Sequence, residues 1–298
     1  MPIRYLKDKE GEAIRVLDID GYYLPTFDKI IPKQEEVVRS IRTWKARDDD
    51  VLLCAYPKAG THWLWEVVSM LLNGSADRIH LIKETAMLEG VTQPMYDNIK
   101  SPRVLNSHIY FRMLPEDFVK RKCKIVHILR NPKDVAVSFY NHHFKILEYE
   151  YSGKWENYIR RFINGQVDYG SWFDYTLDWE KVIQDNPDYP IHIISYEDMK
   201  KDDTMEIKQL ARFLGVKEDE KLIKSIAEAC DFERMKKEKN PLEMATSDEW
   251  RGKEPGMYRK GQVGDWKNWF TVAQNEFFDT AYAERMKNSK FQFRIMVC

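Results

Sequence analysis

The string Tyr56-Pro57-Lys58-Ala59-Gly60-Thr61-His62-Trp63 sets a lysine and a glycine in the kind of turn that proteins use to cradle phosphate. An apolar run, 51–55, precedes it and reads as a buried strand. Leu64, Val67, Val68, Leu71 and Leu72 follow at i, i+3, i+4, i+7 and i+8, one face of a helix. The first amides of a helix have no intrahelical partner and lie at the positive end of its dipole, so such a turn offers an anion ready donors. Gly60 lets the backbone come close, and Lys58 adds a mobile cation. The bland alternative is a strand–turn–helix with no ligand. Neither G-x-x-x-x-G-K-[ST] nor G-x-G-x-x-G occurs in the chain, so a nucleotide reading cannot rest on those motifs.

Three further clusters bear chemistry. Asn106-Ser107-His108 follows a short strand-like run, at the place where open α/β sheets bind ligands. An imidazole there could take a proton from an attacking hydroxyl; a histidine capping a turn is the plainer reading. A second apolar strand, 124–129, runs into Arg130-Asn131-Pro132 and a helix. Pro132 suits a first helical turn, Arg130 can fork two oxygens of one phosphate, and Ser138 can donate from two turns further on. Arg259-Lys260-Gly261 offers two cations and a backbone amide, although a charge pair before Gly is commonly a solvated turn.

In this order the four strings resemble the signatures of the cytosolic sulfotransferases. These enzymes move a sulfuryl group from 3′-phosphoadenosine 5′-phosphosulfate (PAPS) to an acceptor, leaving 3′-phosphoadenosine 5′-phosphate (PAP). The likeness covers about 51–276. It implies an α/β fold in a single domain, 1–298, with a central parallel sheet flanked by helices and a P-loop-like phosphate-binding turn. It implies that His108 is the catalytic base and that Lys58 neutralises charge on the leaving 5′-phosphate oxygen. Ala59, Gly60, Thr61 and His62 would wrap that phosphate. Arg130 and Ser138, with Arg259, Lys260 and Gly261, would hold the 3′-phosphate, and Trp63, Tyr196, Cys230 and Phe232 would enclose adenine. No metal is implied, and no ligand cluster for one is visible. Lys267, Thr271, Val272 and Glu276 match the family's dimerisation motif, which implies a homodimer through Lys267 and Glu276.

The chain departs from the family pattern at three places. Asn106 stands where a lysine assisting catalysis is usual, in Lys-Thr-His. His62 replaces a second threonine, and its imidazole could add positive charge or slow turnover. Asp231, in Cys-Asp-Phe, replaces Ser, so its carboxylate should face away from the donor or bond the ribose.

Positioning these groups requires a scaffold of alternating strands and helices. Strands are expected at 51–55, 103–106, 124–129 and 191–195, and helices at 61–73, 132–148, 155–164, 203–214, 218–229 and 274–287. Residues 236–262 lack clear periodicity and read as a long functional or mobile loop. The 298 residues are 43% hydrophobic, enough for a large core. A net charge of −1 gives no global field toward nucleic acid or membrane, so any phosphate site must be local. The four cysteines, Cys54, Cys123, Cys230 and Cys298, show no C-x-x-C spacing and read as reduced thiols. No leader-like or membrane-length apolar run is present, so the expected place is the cytoplasm.

The acceptor is read as a small molecule: a phenol, alcohol, sterol-like alcohol or arylamine. Tyr22-Tyr23-Leu24-Pro25, His142-His143-Phe144 and residues 244–258 are expected to help line its pocket, with His142 and His143 alternatively solvated on their helix. Two other functions compete. A metal-dependent P-loop kinase would need the missing GK[ST] order. A PAP-binding pseudoenzyme would keep Arg130, Ser138 and Arg259 while losing catalytic groups; Lys58 and His108 argue against it.

Overall fold

A computed structural model describes residues 3–27, 31, 33–244, 247–253 and 257–293, with the side chains of 240–247 outside the description. Its centre is a four-stranded sheet built from β4 (Val51–Ala55), β5 (Val104–Ser107), β6 (Lys124–Leu129) and β7 (Ile191–Ser195). The spatial order is β5-β4-β6-β7, and every pair is parallel. The whole of β4 is buried, as expected of a parallel strand covered on both faces. Alternation then divides the core: Leu52, Cys54, Leu105 and Ile125 pack on one side, and Leu53, Ala55, Val126 and Ile128 on the other. Helices Thr61–Asn73, Asp203–Leu214 and Glu220–Ala229 cover the second side, and Pro132–Lys145, Trp155–Ile163 and Trp172–Asp185 the first.

Parallel pairing sends every carboxyl end the same way. Cys54 lies opposite Ser107, Ala55 opposite Ile128, and Leu129 opposite Ser195. The residues that follow the four strands, Tyr56, His108, Arg130 and Tyr196, therefore emerge on one edge. At the other end Arg103 meets Asp50 through two hydrogen bonds of 2.6 Å, with both side chains buried. This fork ties the residue before β4 to the residue before β5 and holds their register.

The expected elements differ from the observed ones in instructive ways. Strand β5 runs one residue further than 103–106 and takes in Ser107. The helix expected over 132–148 stops at Lys145, because Ile146 turns extended and bridges Trp250. Helix Glu220–Ala229 starts two residues late because the Asp219 carboxylate caps its first amides. Helix Val272–Arg285 starts two early, where Thr271 and Gln274 form a capping box. The expected loop 236–262 is a helix as far as Met244 (Phe232–Met244), followed by short 3-10 turns; residues 245, 246 and 254–256 of it lie outside the described residues. Its inward stripe includes Met235 and Lys239, and Lys239 donates to the carbonyls of Ile79 (2.5 Å) and Leu81 (2.8 Å). A lysine standing at a core position hides the helical period. An N-terminal antiparallel sheet, β1 (Ile3–Lys7), β2 (Ala13–Ile19) and β3 (Tyr22–Leu24), had no expectation at all.

The register lock makes a prediction. Asp50→Ala would strand a buried guanidinium and should cost about 3–5 kcal/mol of stability. A urea unfolding midpoint lower by the corresponding amount checks it.

Candidate active site

One cleft of about 500 Å³ opens over the carboxyl edge of the sheet. Lys58, Gly60, Thr61, His62, Trp63, His108, Arg130, Ser138, Tyr196, Cys230, Phe232, Arg259, Lys260 and Gly261 all line it. Ala59 does not. Its amide closes the turn on the Tyr56 carbonyl at 3.3 Å and its side chain is buried, so it shapes the turn from behind.

The phosphate-type turn is built under steric constraint. Lys58 and Gly60 both have positive φ, 67° and 114°, and the helix starts at Thr61. A Cβ on Gly60 would lie 2.8 Å from the Tyr196 ring, so only glycine lets the turn and that ring share the space. Gly261 is similar: its φ is 63°, and a Cβ would come within 2.2 Å of the Phe232 ring. The Arg130 guanidinium lies 4.1 Å over the Tyr196 ring and donates to the Lys58 carbonyl at 2.7 Å. Trp63 meets Tyr196 edge-on with centroids 5.7 Å apart. Flat rings and a cation thus share one wall.

Other contacts fix the segments that carry these groups. Asn131 caps helix Pro132–Lys145, and its own amide donates to Glu197 at 2.9 Å. Asp134 accepts the amides of Gly264 (2.7 Å) and Trp266 (2.9 Å), tying the 259–266 stretch to the same helix. Asp265 accepts from Arg259 and Lys260, each at 2.6 Å. Burial would raise its carboxyl, but the bonds from Lys260, Asn268 and Arg259 hold it down to about 2. Asp231, left open by the sequence, accepts the amides of Glu233 and Arg234 as a helix cap, so its charge is spent on the backbone. Burial pushes the Cys230 thiol up to about 12, far from a reactive thiolate.

His108 is held by both of its polar neighbours. Nδ1 lies 2.8 Å from the Ala55 carbonyl, which can only accept, so Nδ1 carries the proton and Nε2 keeps a lone pair. Its amide donates to Glu89 at 2.8 Å, and Glu89 also takes the Ser107 hydroxyl at 2.6 Å. Burial, aided by the charge of Lys83, drives the His108 pKa down to about 3. His62 sits 2.9 Å from Glu84, yet burial outweighs that carboxylate and lowers it to about 4. His62 is therefore neutral near pH 7, against the reading in which it supplies positive charge. Lys58 Nζ lies 3.4 Å from His142 Nδ1 and 3.2 Å from Met257 Sδ.

The acceptor-side expectations divide. His142 lines the cleft, while His143 is fully buried against Asp168 (2.5 Å) and the Tyr158 hydroxyl (2.7 Å), so neither is a solvated helix residue. Pro25, Thr26 and Phe27 line the cleft, but Tyr22 and Tyr23 do not; Tyr22 meets the Tyr110 ring at a tilt, with centroids 5.3 Å apart. Within 244–258, Asp248, Glu249, Trp250, Met257 and Tyr258 contribute. Sequence reasoning missed Lys83, Glu84, Glu89, Asp168 and Tyr169, which come from segments without a recognisable string. Nothing in the sequence marks them, since the burial that sets Lys83, Glu89 and Asp168 apart belongs to the fold.

The site has the features of an anion cradle. The Nε atoms of Arg130 and Arg259 are buried and have no hydrogen-bond partner among the described residues. Two orphaned guanidinium donors, a helix N-terminus and the cleft lysines fit a phosphorylated ligand with an aromatic base. No group of three or more His, Cys, Asp or Glu able to hold a metal occurs among the described residues. Nor, among them, is any helix long and apolar enough to cross a membrane.

Comparison with known proteins agrees with this geometry. The family model described as the sulfotransferase domain matches residues 48–290. Human sulfotransferase 1C2 is 33% identical over 296 residues, covering 95% of this chain and 96% of the relative. Dog sulfotransferase 1B1 is 37% identical over 273 residues, 86% and 89% of the two chains. Among solved structures, mouse sulfotransferase SULT7A1 complexed with PAP superposes with a TM-score of 0.74 at 31% identity, covering 92% of this chain and 96% of that one.

The neutral histidines have a measurable consequence. Unfolded, each titrates near 6.5; folded, His108 and the fully buried His127 of β6 stay neutral to about 3, burial being the main cause. The unfolded state thus binds more protons below pH 6.5, and stability falls as pH drops from there. By pH 5 each of the two should cost about 2 kcal/mol. Urea unfolding at pH 7.5 and 5.0 measures the loss, and His108→Gln should make the slope shallower.

Proposed function

The chain belongs to the sulfotransferase family, and from that membership we propose which of its residues carry the reaction. The protein transfers a sulfuryl group from PAPS to the hydroxyl or amine of a small, mostly apolar acceptor. PAPS supplies the sulfuryl group and departs as PAP.

His108 Nε2 takes the acceptor proton. The reading rests above all on the 2.8 Å bond between His108 Nδ1 and the Ala55 carbonyl, which leaves Nε2 as the acceptor nitrogen. A neutral imidazole with a pKa near 3 is ready at any physiological pH, and bound anionic charge would raise its basicity. Lys58 sets its ammonium against charge developing on the leaving 5′-phosphate oxygen, and the amides of Gly60, Thr61 and His62 bind that phosphate. Arg130, Ser138, Arg259, Lys260 and Gly261 hold the 3′-phosphate. Trp63, Tyr196, Cys230 and Phe232 enclose the adenine. The acceptor lies toward Phe27, His142 and Tyr169, a mixed wall of rings and polar edges that suits a phenol, an alcohol or an arylamine.

A homodimer through Lys267 and Glu276, a cytoplasmic location and a single domain over 1–298 complete the reading. Val272 between those two charges is 77% exposed, a bare aliphatic side chain suited to a two-fold contact. The motif is not extended throughout, since 265–268 form a 3-10 turn and Val272 opens a helix.

Two outcomes follow. His108→Gln should lose about 10²–10⁴ in kcat for labelled sulfate transfer from PAPS to a panel of phenols, alcohols and amines, while PAP titrates as in the parent. Unchanged turnover would remove His108 from the chemistry, and PAP binding with no transfer by the parent to any acceptor would favour the pseudoenzyme. Val272→Asp should convert a dimer to a monomer in sedimentation; a parent that already sediments as a monomer refutes the dimer.

A further inference from the structure

Lys83 is a buried ammonium with no part in the reading so far. It opens the 3-10 turn Lys83–Ala86, is only 4% exposed, and lines the cleft. Asn106 grips it twice: the amide Nδ2 donates to the Lys83 carbonyl at 2.7 Å, and Oδ1 accepts from Nζ at 3.3 Å. Asn106 lies in β5 and His108 follows the strand's last residue, and the charge of Lys83 is among the causes of the lowered His108 pKa. The ammonium is thereby held within electrostatic reach of His108. Its other near groups are the Glu84 carboxylate at 3.3 Å and Met87 Sδ at 3.9 Å. Glu84 is itself engaged by His62 and about one-third exposed to the cleft. Burying an ammonium beside the general base works against the fold, since charge is costly away from water. A purely structural clamp on Asn106 would need only a neutral donor.

We propose that Lys83 is a catalytic residue of the transfer, its ammonium meeting the sulfuryl oxygens and the bridging oxygen opposite the approach of Lys58. The inference rests on the reading of this cleft as the transfer site. The acceptor oxygen forms a bond to sulfur as the bond from sulfur to the 5′-phosphate oxygen breaks. The acceptor proton goes to His108 Nε2, and the electron pair goes to the phosphate oxygen, whose charge the two ammonium groups share. Asn106 is then a positioning residue, acting through Lys83.

The test uses Lys83→Met and Lys83→Arg in the full chain. Lys83→Met should lower kcat about 10- to 100-fold while PAP affinity stays within about twofold, and Lys83→Arg should restore most of kcat. In the ligand-free protein, proton NMR should show the His108 titration moved upward in Lys83→Met and unmoved in Lys83→Arg, because a neighbouring cation resists a second positive charge. Unchanged kcat and an unmoved titration in Lys83→Met overturn the inference. If Lys83→Met does not fold, Lys83→Gln keeps a donor to Asn106 without the charge, and full activity in it is equally fatal. A parent that transfers nothing to any acceptor defeats the underlying reading instead, which the ligand-free titration distinguishes.

Discussion

The hydrogen bond from His108 Nδ1 to the Ala55 carbonyl is the contact on which the site depends. Ala55 ends β4 and hands the chain to the Lys58 turn; His108 follows β5. One bond therefore joins the imidazole to the strand that leads into the Lys58 turn. It also leaves Nε2 as the ring nitrogen with a lone pair, because a carbonyl can only accept. Everything that keeps the bond in place is a matter of register. Cys54 faces Ser107, Arg103 and Asp50 lock the far end, and Glu89 grips the Ser107 hydroxyl and the His108 amide from behind.

A protein with a net charge of −1 concentrates its cations where they are needed. Lys58 and Arg130 arrive from the ends of two adjacent parallel strands, and Arg259 and Lys260 from a segment far along the chain. That distant segment is pinned by backbone donors to Asp134 and by side chains to Asp265. Asp265 sets the direction of Arg259 and Lys260, and the Lys58 carbonyl that of Arg130, while the Nε donors of Arg130 and Arg259 have no partner among the described residues. The resulting field is short-range and local, suited to a small multiply charged ligand and unsuited to a long polyanion.

Much of the sheet and its edge was legible because chemistry and periodicity coincide there. Four apolar runs gave four strands, and the strings after three of them gave Lys58, His108 and Arg130. Helix boundaries failed where side-chain caps decide them, at Asp219 and Thr271, since capping depends on geometry that spacing does not encode. The helix Phe232–Met244 was hidden because Lys239 occupies a core position and answers two carbonyls with its ammonium. Lys83 and Glu89 were illegible for a related reason. Each is a charge on a short irregular turn, and its importance comes from partners distant in sequence, Asn106 for one and Ser107 with His108 for the other. Which way the Ala59 amide points was likewise not legible, because a place within a recognisable string does not set the direction of a backbone N–H.

The central claim concerns one nitrogen, so the decisive measurement is the tautomer of His108. Nitrogen-15 NMR of the selectively labelled protein at pH 7 should show a protonated Nδ1 and an unprotonated Nε2 for the resonance lost in His108→Gln. A protonated Nε2, or an imidazolium at that pH, would contradict the account, because the nitrogen assigned to take the acceptor's proton would already hold one.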